Sequence, residues 1–325
     1  MPCDARPYLY GVEASKPGNP AFLIVLYLTF GTDLRVHQQA AFSVMTLLGR
    51  GVAEVQIWTD APHFYRFFGE RIVTKTLSQA LLADWKGPHD FFWRIKIAAL
   101  RQIAADNPGK HVLYLDADTF AFSGLSAIED TLAQGRHLMH ALEGRPSELP
   151  TSTERRMGRQ TEGKSFGPVT VTAEHRMYNA GVVAVSALRA RPALAMALEI
   201  CDAMCAAGVT RRLVEQFSLS IALKENGGLR AANDVIGHYW GNKLEWTQHI
   251  GQLLLEHHLR GSSLEQQIDS TLTLDFRNFP VYRKSSSTGR KVTDWITRKA
   301  ERLPHAFVPL PDDPPDERSE RWRAR

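Results

Sequence analysis

The chain is short of several things, and each shortage removes a class of answer. Its 325 residues include three cysteines, Cys3, Cys201 and Cys205. They give neither a disulfide framework nor a zinc-ligand spacing, and the last two, four positions apart, fit one face of a helix. No uninterrupted apolar run approaches the roughly 20 residues that cross a bilayer. The opening MPCDARPYLYG lacks the charged-then-apolar order of a secretory signal, so a soluble, cytoplasmic protein is expected. The formal net charge of +4 is small for this length, which argues against nucleic acid as a partner even though arginines gather in RRMGR and RSERWRAR. No repeat recurs at a fixed period, which excludes solenoids and propellers.

What is present is apolar material in an α/β order. With 44% hydrophobic residues the chain can bury a large core. Phe22 to Leu28 in AFLIVLYLTFG is a continuous apolar run ended by Gly31, and AAFSVMTLL after it reads as a helix. VQIWTD repeats the strand pattern and RIVTKTL offers a third. Asp90 is placed to cap a helix DFFWRIKIAALRQIAAD with Phe92, Ala99 and Ile103 on one face, stopped by Asn107-Pro108-Gly109 before the strand HVLYL. LMHALEG and MYNAGVVAVS read as strands, Leu188 to Ala207 and Arg212 to Lys224 as helices, and Leu229 to Gly237 as a late strand with a turn. Strands alternating with helices predict one doubly wound, mostly parallel sheet flanked by helices.

In such a sheet ligands sit at the carboxyl ends of the strands. HVLYL delivers Asp116-Ala117-Asp118 to one of those ends. Two ionised carboxylates so close repel, and a divalent cation removes that cost while offering coordination positions to diphosphate oxygens. Asp116 and Asp118 are therefore the candidate ligands of Mn²⁺ or Mg²⁺. Thr29 and Asp60, at the ends of the first two strands, are placed by position alone to meet a base or ribose. Acidic pairs at strand ends also cap turns, so the pair needs its neighbours to be read further.

Those neighbours recur in an order. The opening strand and helix, FWRIK, LYLDADTF, YNAGVVAV, the acid-Gln pair of VEQF and finally HYWGNK together resemble retaining GT-A glycosyltransferases of family 8, the group of glycogenin and bacterial lipopolysaccharide galactosyltransferases. The likeness spans Phe22 to Trp246 and implies a GT-A fold, a Rossmann-like core for nucleotide-diphospho-sugar transfer. It also implies Mn²⁺ held by Asp116, Asp118 and His238. Beyond the metal it points to a donor pocket of Arg94, Lys96, Ala117, Asn179 and Ala180, with Gly241 and Lys243 reaching the diphosphate, and to Glu143, Glu215 and Gln216 around the reacting sugar. Lys243 stands one residue closer to its glycine than the family pattern, Leu244-Glu245-Trp246 replaces the customary Pro-Trp, and Glu215 stands where aspartate is usual. The donor so implied is a nucleoside diphosphate sugar, most simply a UDP-sugar, and the acceptor a glycan, lipid-linked or protein hydroxyl.

Other readings share pieces of this pattern. LYLDADTF also satisfies the signature of haloacid-dehalogenase phosphatases, with Asp116 as nucleophile and Asp118 as acid/base, although two β-α units precede it here and no later acidic pair is evident. LYLTFGTDLR lacks the glycine-rich start of a sugar-nucleotide pyrophosphorylase. A basic binding protein would leave the acid, Asn, Gln and His motifs unexplained. The boundaries expected are a lead at 1–20, the transferase domain at 21–250 with a mobile acceptor loop at 145–175, a helical extension at 251–308 and a disordered basic tail at 309–325. Within the extension, KVTDWITRKAERL could lay Trp295 and Ile296 on a lipid surface, giving peripheral contact with the inner membrane face.

Overall fold

The computed structural model describes residues 23–276 together with 279 and 281. The expected lead, basic tail and amphipathic segment KVTDWITRKAERL lie outside them. The first strand, β1 (Leu23–Thr29), has all seven residues buried, as a central strand covered on both faces requires. It is followed by α1 (Leu34–Leu48), which Asp33 caps through the amide of Arg35, then β2 (Val55–Thr59) and β3 (Val73–Thr76). Next come α2 (Gln79–Lys86), α3 (Arg94–Asp106), β4 (His111–Leu115) and the short β5 (Thr119–Ala121). α4 (Ser126–Ala133) leads to β6 (His137–Met139) and β7 (Leu142–Gly144). The strand expected at LMHALEG is thus two strands broken at His140-Ala141.

Residues 145–175, expected as a mobile loop, hold regular structure. They contain α5 (Ser152–Thr161) and the hairpin β8 (Ser165–Phe166) with β9 (Val169–Thr170). The physical reason is a capping box: the Thr151 hydroxyl accepts from the Glu154 amide and the Glu154 carboxylate accepts from the Thr151 amide, the Thr-x-x-Glu signature of a helix start. β10 (Met177–Tyr178) and β11 (Val182–Val185) follow, then α6 (Ala190–Ala206), α7 (Val214–Glu225), β12 (Leu229–Ala231), β13 (Ile236–His238), α8 (Lys243–Leu259) and α9 (Leu264–Leu272). α8 runs unbroken across the boundary expected at residue 250.

Seven strands form the main sheet in the order β12-β6-β11-β4-β1-β2-β3. All neighbours are parallel except β11, which lies antiparallel to both β4 and β6. The sheet is mixed and mostly parallel, as expected, with the antiparallel strand inside it. Alternation along β1 divides the core. Ile24, Leu26 and Leu28 pack with α3, α6 and α7 on one face, and Leu23, Val25 and Tyr27 with α1, α4 and α9 on the other. Each fully buried branched side chain contributes about 1.5–3 kcal/mol.

One helix start is corrected. Asp90 does not cap α3. It sits in the preceding turn at φ 44°, and α3 begins at Arg94 with Trp93 before it and no side-chain cap. Phe92 is therefore outside the helix and exposed, and the buried stripe runs through Ile95, Ala99 and Ile103. A third cluster, of Phe42, Phe120, Tyr239, Trp246 and Phe276, joins α8 to the β5–β13 pair. Trp246 stacks on Tyr239 and Phe120 at 4.5 and 4.6 Å, and Gly237 lies so close to Phe120 that a Cβ there would stand 2.3 Å from its ring.

Candidate active site

β4 stops at Leu115, and Asp116, Ala117 and Asp118 form the turn into β5. That turn is held by backbone. The Asp116 amide donates to Gly181 O at 2.8 Å, and the Tyr239 amide to Asp118 O at 3.1 Å. β13 pairs antiparallel with β5, bringing His238 opposite Thr119. One ligand atom each from Asp116, Asp118 and His238 then fall within 4.8 Å of one another. Residues far apart in the chain are joined because a short two-stranded pair closes over the carboxyl edge of the large sheet.

The tautomer of His238 follows from its neighbours. Asn179 Oδ1 accepts from the Gly181 amide at 2.9 Å while its Nδ2 donates to Glu143 at 3.2 Å, which fixes the amide orientation. His238 Nδ1, 3.0 Å from that oxygen, is therefore the donor. Nε2 faces Asp118 Oδ1 at 3.4 Å. An imidazole oriented through Nδ1–H with Nε2 toward two carboxylates is the arrangement of a metal-ligating histidine. Two carboxylates with one imidazole are a donor set that could hold a divalent cation.

Two lysines border the acids. Lys243, the first residue of α8, lies 3.1 Å from Asp118 Oδ2, so the shortened spacing after Gly241 does not carry it away. Gly241 itself lies in the turn between β13 and α8. Burial pushes the Asp118 carboxyl up, and its contacts with His238 and the Lys243 ammonium more than reverse this, holding it well below the usual carboxylate range. Lys96 is buried and lies 3.4 Å from Asp116 Oδ1 and 3.2 Å from Glu215 Oε1, and it donates to Ala180 O at 2.9 Å. Burial pulls its ammonium down, but the two carboxylates hold it above its ordinary value. Burial also raises Glu215, with Lys96 pulling against it.

The remaining acid and amides form one group. Gln216, in the first turn of α7, donates to Glu143 Oε2 at 2.8 Å and accepts from the Ala180 amide at 3.3 Å. Glu143 on β7, Asn179, Ala180 and Gln216 are thus joined by hydrogen bonds and reach Asp118 through His238 and Asp116 through Lys96. Gly181 is required by the approach of His238. A Cβ there would stand 2.2 Å from His238 Cε1, so the space beside it is filled by the histidine.

Other expected residues are engaged elsewhere. Arg94 makes a bidentate pair with Asp202 of α6 at 2.7 and 3.0 Å and donates to Trp85 O at 2.9 Å, which commits its guanidinium to joining α3 to α6. Thr29 is buried and accepts from the Tyr65 hydroxyl at 3.0 Å. Asp60 accepts from the Gly31 amide at 2.9 Å, tying the ends of β1 and β2. Ala117 is partly buried against the α1 face of the core. Two residues were missed: His140, whose ring centroid lies 5.2 Å from that of His238, and Tyr114, which donates to Asp116 Oδ1 at 2.7 Å. Tyr114 was findable, since strand alternation puts it on the side of Asp116.

No family model and no characterised protein matches the chain by sequence. Among solved structures it is similar to mouse xyloside xylosyltransferase 1 in its apo form, at 12% identity over 64% of this chain and 84% of that one, with a TM-score of 0.43. It is also similar to the galactosyltransferase LgtC in complex with donor and acceptor sugar analogues, at 13% identity over 78% of this chain and 99% of that one, with a TM-score of 0.46. An active-site mutant of LgtC matches at 16% identity over 65% of this chain and 72% of that one, with a TM-score of 0.42. These structural neighbours are glycosyltransferases.

Proposed function

We propose that the chain is a metal-dependent glycosyltransferase that moves a hexose from a nucleoside diphosphate sugar, a UDP-sugar by its sequence resemblance, to an acceptor hydroxyl on a glycan, lipid-linked or protein acceptor. The observation that carries this reading is the convergence of Asp116, Asp118 and His238 within 4.8 Å at the carboxyl edge of a mostly parallel sheet. Mn²⁺ held by these three would neutralise diphosphate charge and polarise the bond to the sugar. Lys243 adds a second positive charge where negative charge builds on the leaving diphosphate. Glu143, Asn179 and Gln216 offer a preassembled set of donors and acceptors to sugar hydroxyls, and Lys96 fixes Glu215 and Asp116 relative to each other. The outcome proposed is retention. The bond from the anomeric carbon to the diphosphate breaks, the acceptor oxygen bonds on the same face beside Gln216, and its proton passes to the departing diphosphate.

A phosphatase with Asp116 as nucleophile is not favoured. The Oδ1 atom of that side chain already accepts from Tyr114 and pairs with Lys96, which lowers its nucleophilicity. The test is release of UDP from UDP-glucose and UDP-galactose. Turnover is expected with Mn²⁺, to stop in EDTA, and to fall at least about 100-fold in Asp118→Asn. Hydrolysis of p-nitrophenyl phosphate with Mg²⁺, abolished by Asp116→Asn and without UDP release, would replace this reading with the phosphatase.

A further inference from the structure

Tyr114 is 4% exposed, and its hydroxyl donates to Asp116 Oδ1 at 2.7 Å. Lys96 Nζ stands 3.4 Å from the same oxygen and 4.9 Å from the centroid of the Tyr114 ring. A carboxylate oxygen has two lone pairs in the plane of the group, and here the Tyr114 hydroxyl donates to one oxygen that the Lys96 ammonium also pairs with. We propose that Tyr114 is a positioning residue which, with Lys96, occupies Oδ1 of Asp116 and leaves Oδ2 as the single oxygen this carboxylate gives a cation. The inference rests on the metal-site reading above.

Single-oxygen ligation has a chemical consequence. It suits a small ion with near-octahedral geometry, whereas Ca²⁺ accepts both oxygens of one carboxylate at longer distances. The Tyr114 hydroxyl therefore biases the site toward Mn²⁺ and against Ca²⁺. It also ties the ligand to the reacting end of the pocket, because the same Lys96 that holds Asp116 holds Glu215 on α7. Freed of Tyr114, Asp116 could rotate to offer both oxygens.

The test is Tyr114→Phe in the full chain, with Mn²⁺ affinity read from the electron paramagnetic resonance of free Mn²⁺ and Ca²⁺ affinity from competition. The Mn²⁺ Kd is expected to rise about ten-fold, in the range for removing a group that orients a ligand. The Ca²⁺ Kd should change by less than about three-fold, so the preference between the ions shrinks. Tyr114→Met, which also removes the ring under Lys96, should move the ratio in the same direction. An unchanged Mn²⁺ Kd overturns the inference, and so does an equal loss for both ions with a lowered metal-free melting point, which would make Tyr114 a packing residue. A wild-type chain that binds neither ion overturns the metal-site reading itself, and this inference with it.

Discussion

His238 can approach the two aspartates because residue 181 has no side chain. A Cβ at Gly181 would stand 2.2 Å from Cε1 and 2.3 Å from Nδ1 of an imidazole that is 4% exposed. Gly181→Ala is therefore expected to displace the ring, weakening Mn²⁺ at least about ten-fold and destabilising the fold by roughly 1–3 kcal/mol. Metal titration and chemical denaturation of the variant check both. At this scale the sequence was partly legible. Asp116 and Asp118 stood out as acids after a buried strand, and His238 entered only through the resemblance that HYWGNK helps carry. The pairing of Arg94 with Asp202 was not legible, because the two lie 108 positions apart and an ion pair between two helices leaves no local pattern.

The elements that position the site are short, and their interactions are separable. α5 begins on a capping box that closes both ways between Thr151 and Glu154. Thr151→Ala should cost this helix about 1 kcal/mol, seen as roughly five-fold faster amide exchange across 152–161 with little change elsewhere. β1 and β4 were legible because strands buried on both faces must be continuously apolar. The antiparallel direction of β11 was not, since Val-Val-Ala-Val presents the same buried pattern either way and direction is set by the connection through β10. α5, inside the segment expected as a loop at 145–175, was not foreseen for a related reason: polar composition outweighed a Thr-x-x-Glu signature that was present in the sequence.

For the molecule as a whole, acid sensitivity should come from histidines the fold keeps neutral. Burial pulls His137 from 6.5 down to about 4, the hydrogen bond to Asn226 O opposing it. Its Nδ1 accepts from the Ser186 amide, a bond a second proton would abolish. Because the folded pKa lies below the unfolded one, the unfolded chain binds more protons between these values. The stabilisation is complete above pH 6.5 and is lost as pH falls toward about 4. Burial moves His111 and His140 in the same direction. Urea unfolding should show His137 alone removing about 2 kcal/mol between about pH 7.5 and 5, and His137→Gln should narrow the difference by that amount. Among the described residues no helix is long and apolar enough to cross a membrane. The central claim, that Asp116, Asp118 and His238 hold a cation that binds a nucleoside diphosphate, is tested most directly by thermal unfolding with UDP and other nucleoside diphosphates, with Mn²⁺ or EDTA, on the wild type and Asp118→Ala. UDP at about 100 times its Kd should add about 2.7 kcal/mol and raise the wild-type midpoint only with Mn²⁺, leaving the variant unmoved. An equal shift in EDTA, a shift retained by Asp118→Ala, or no shift with any nucleoside diphosphate would contradict it.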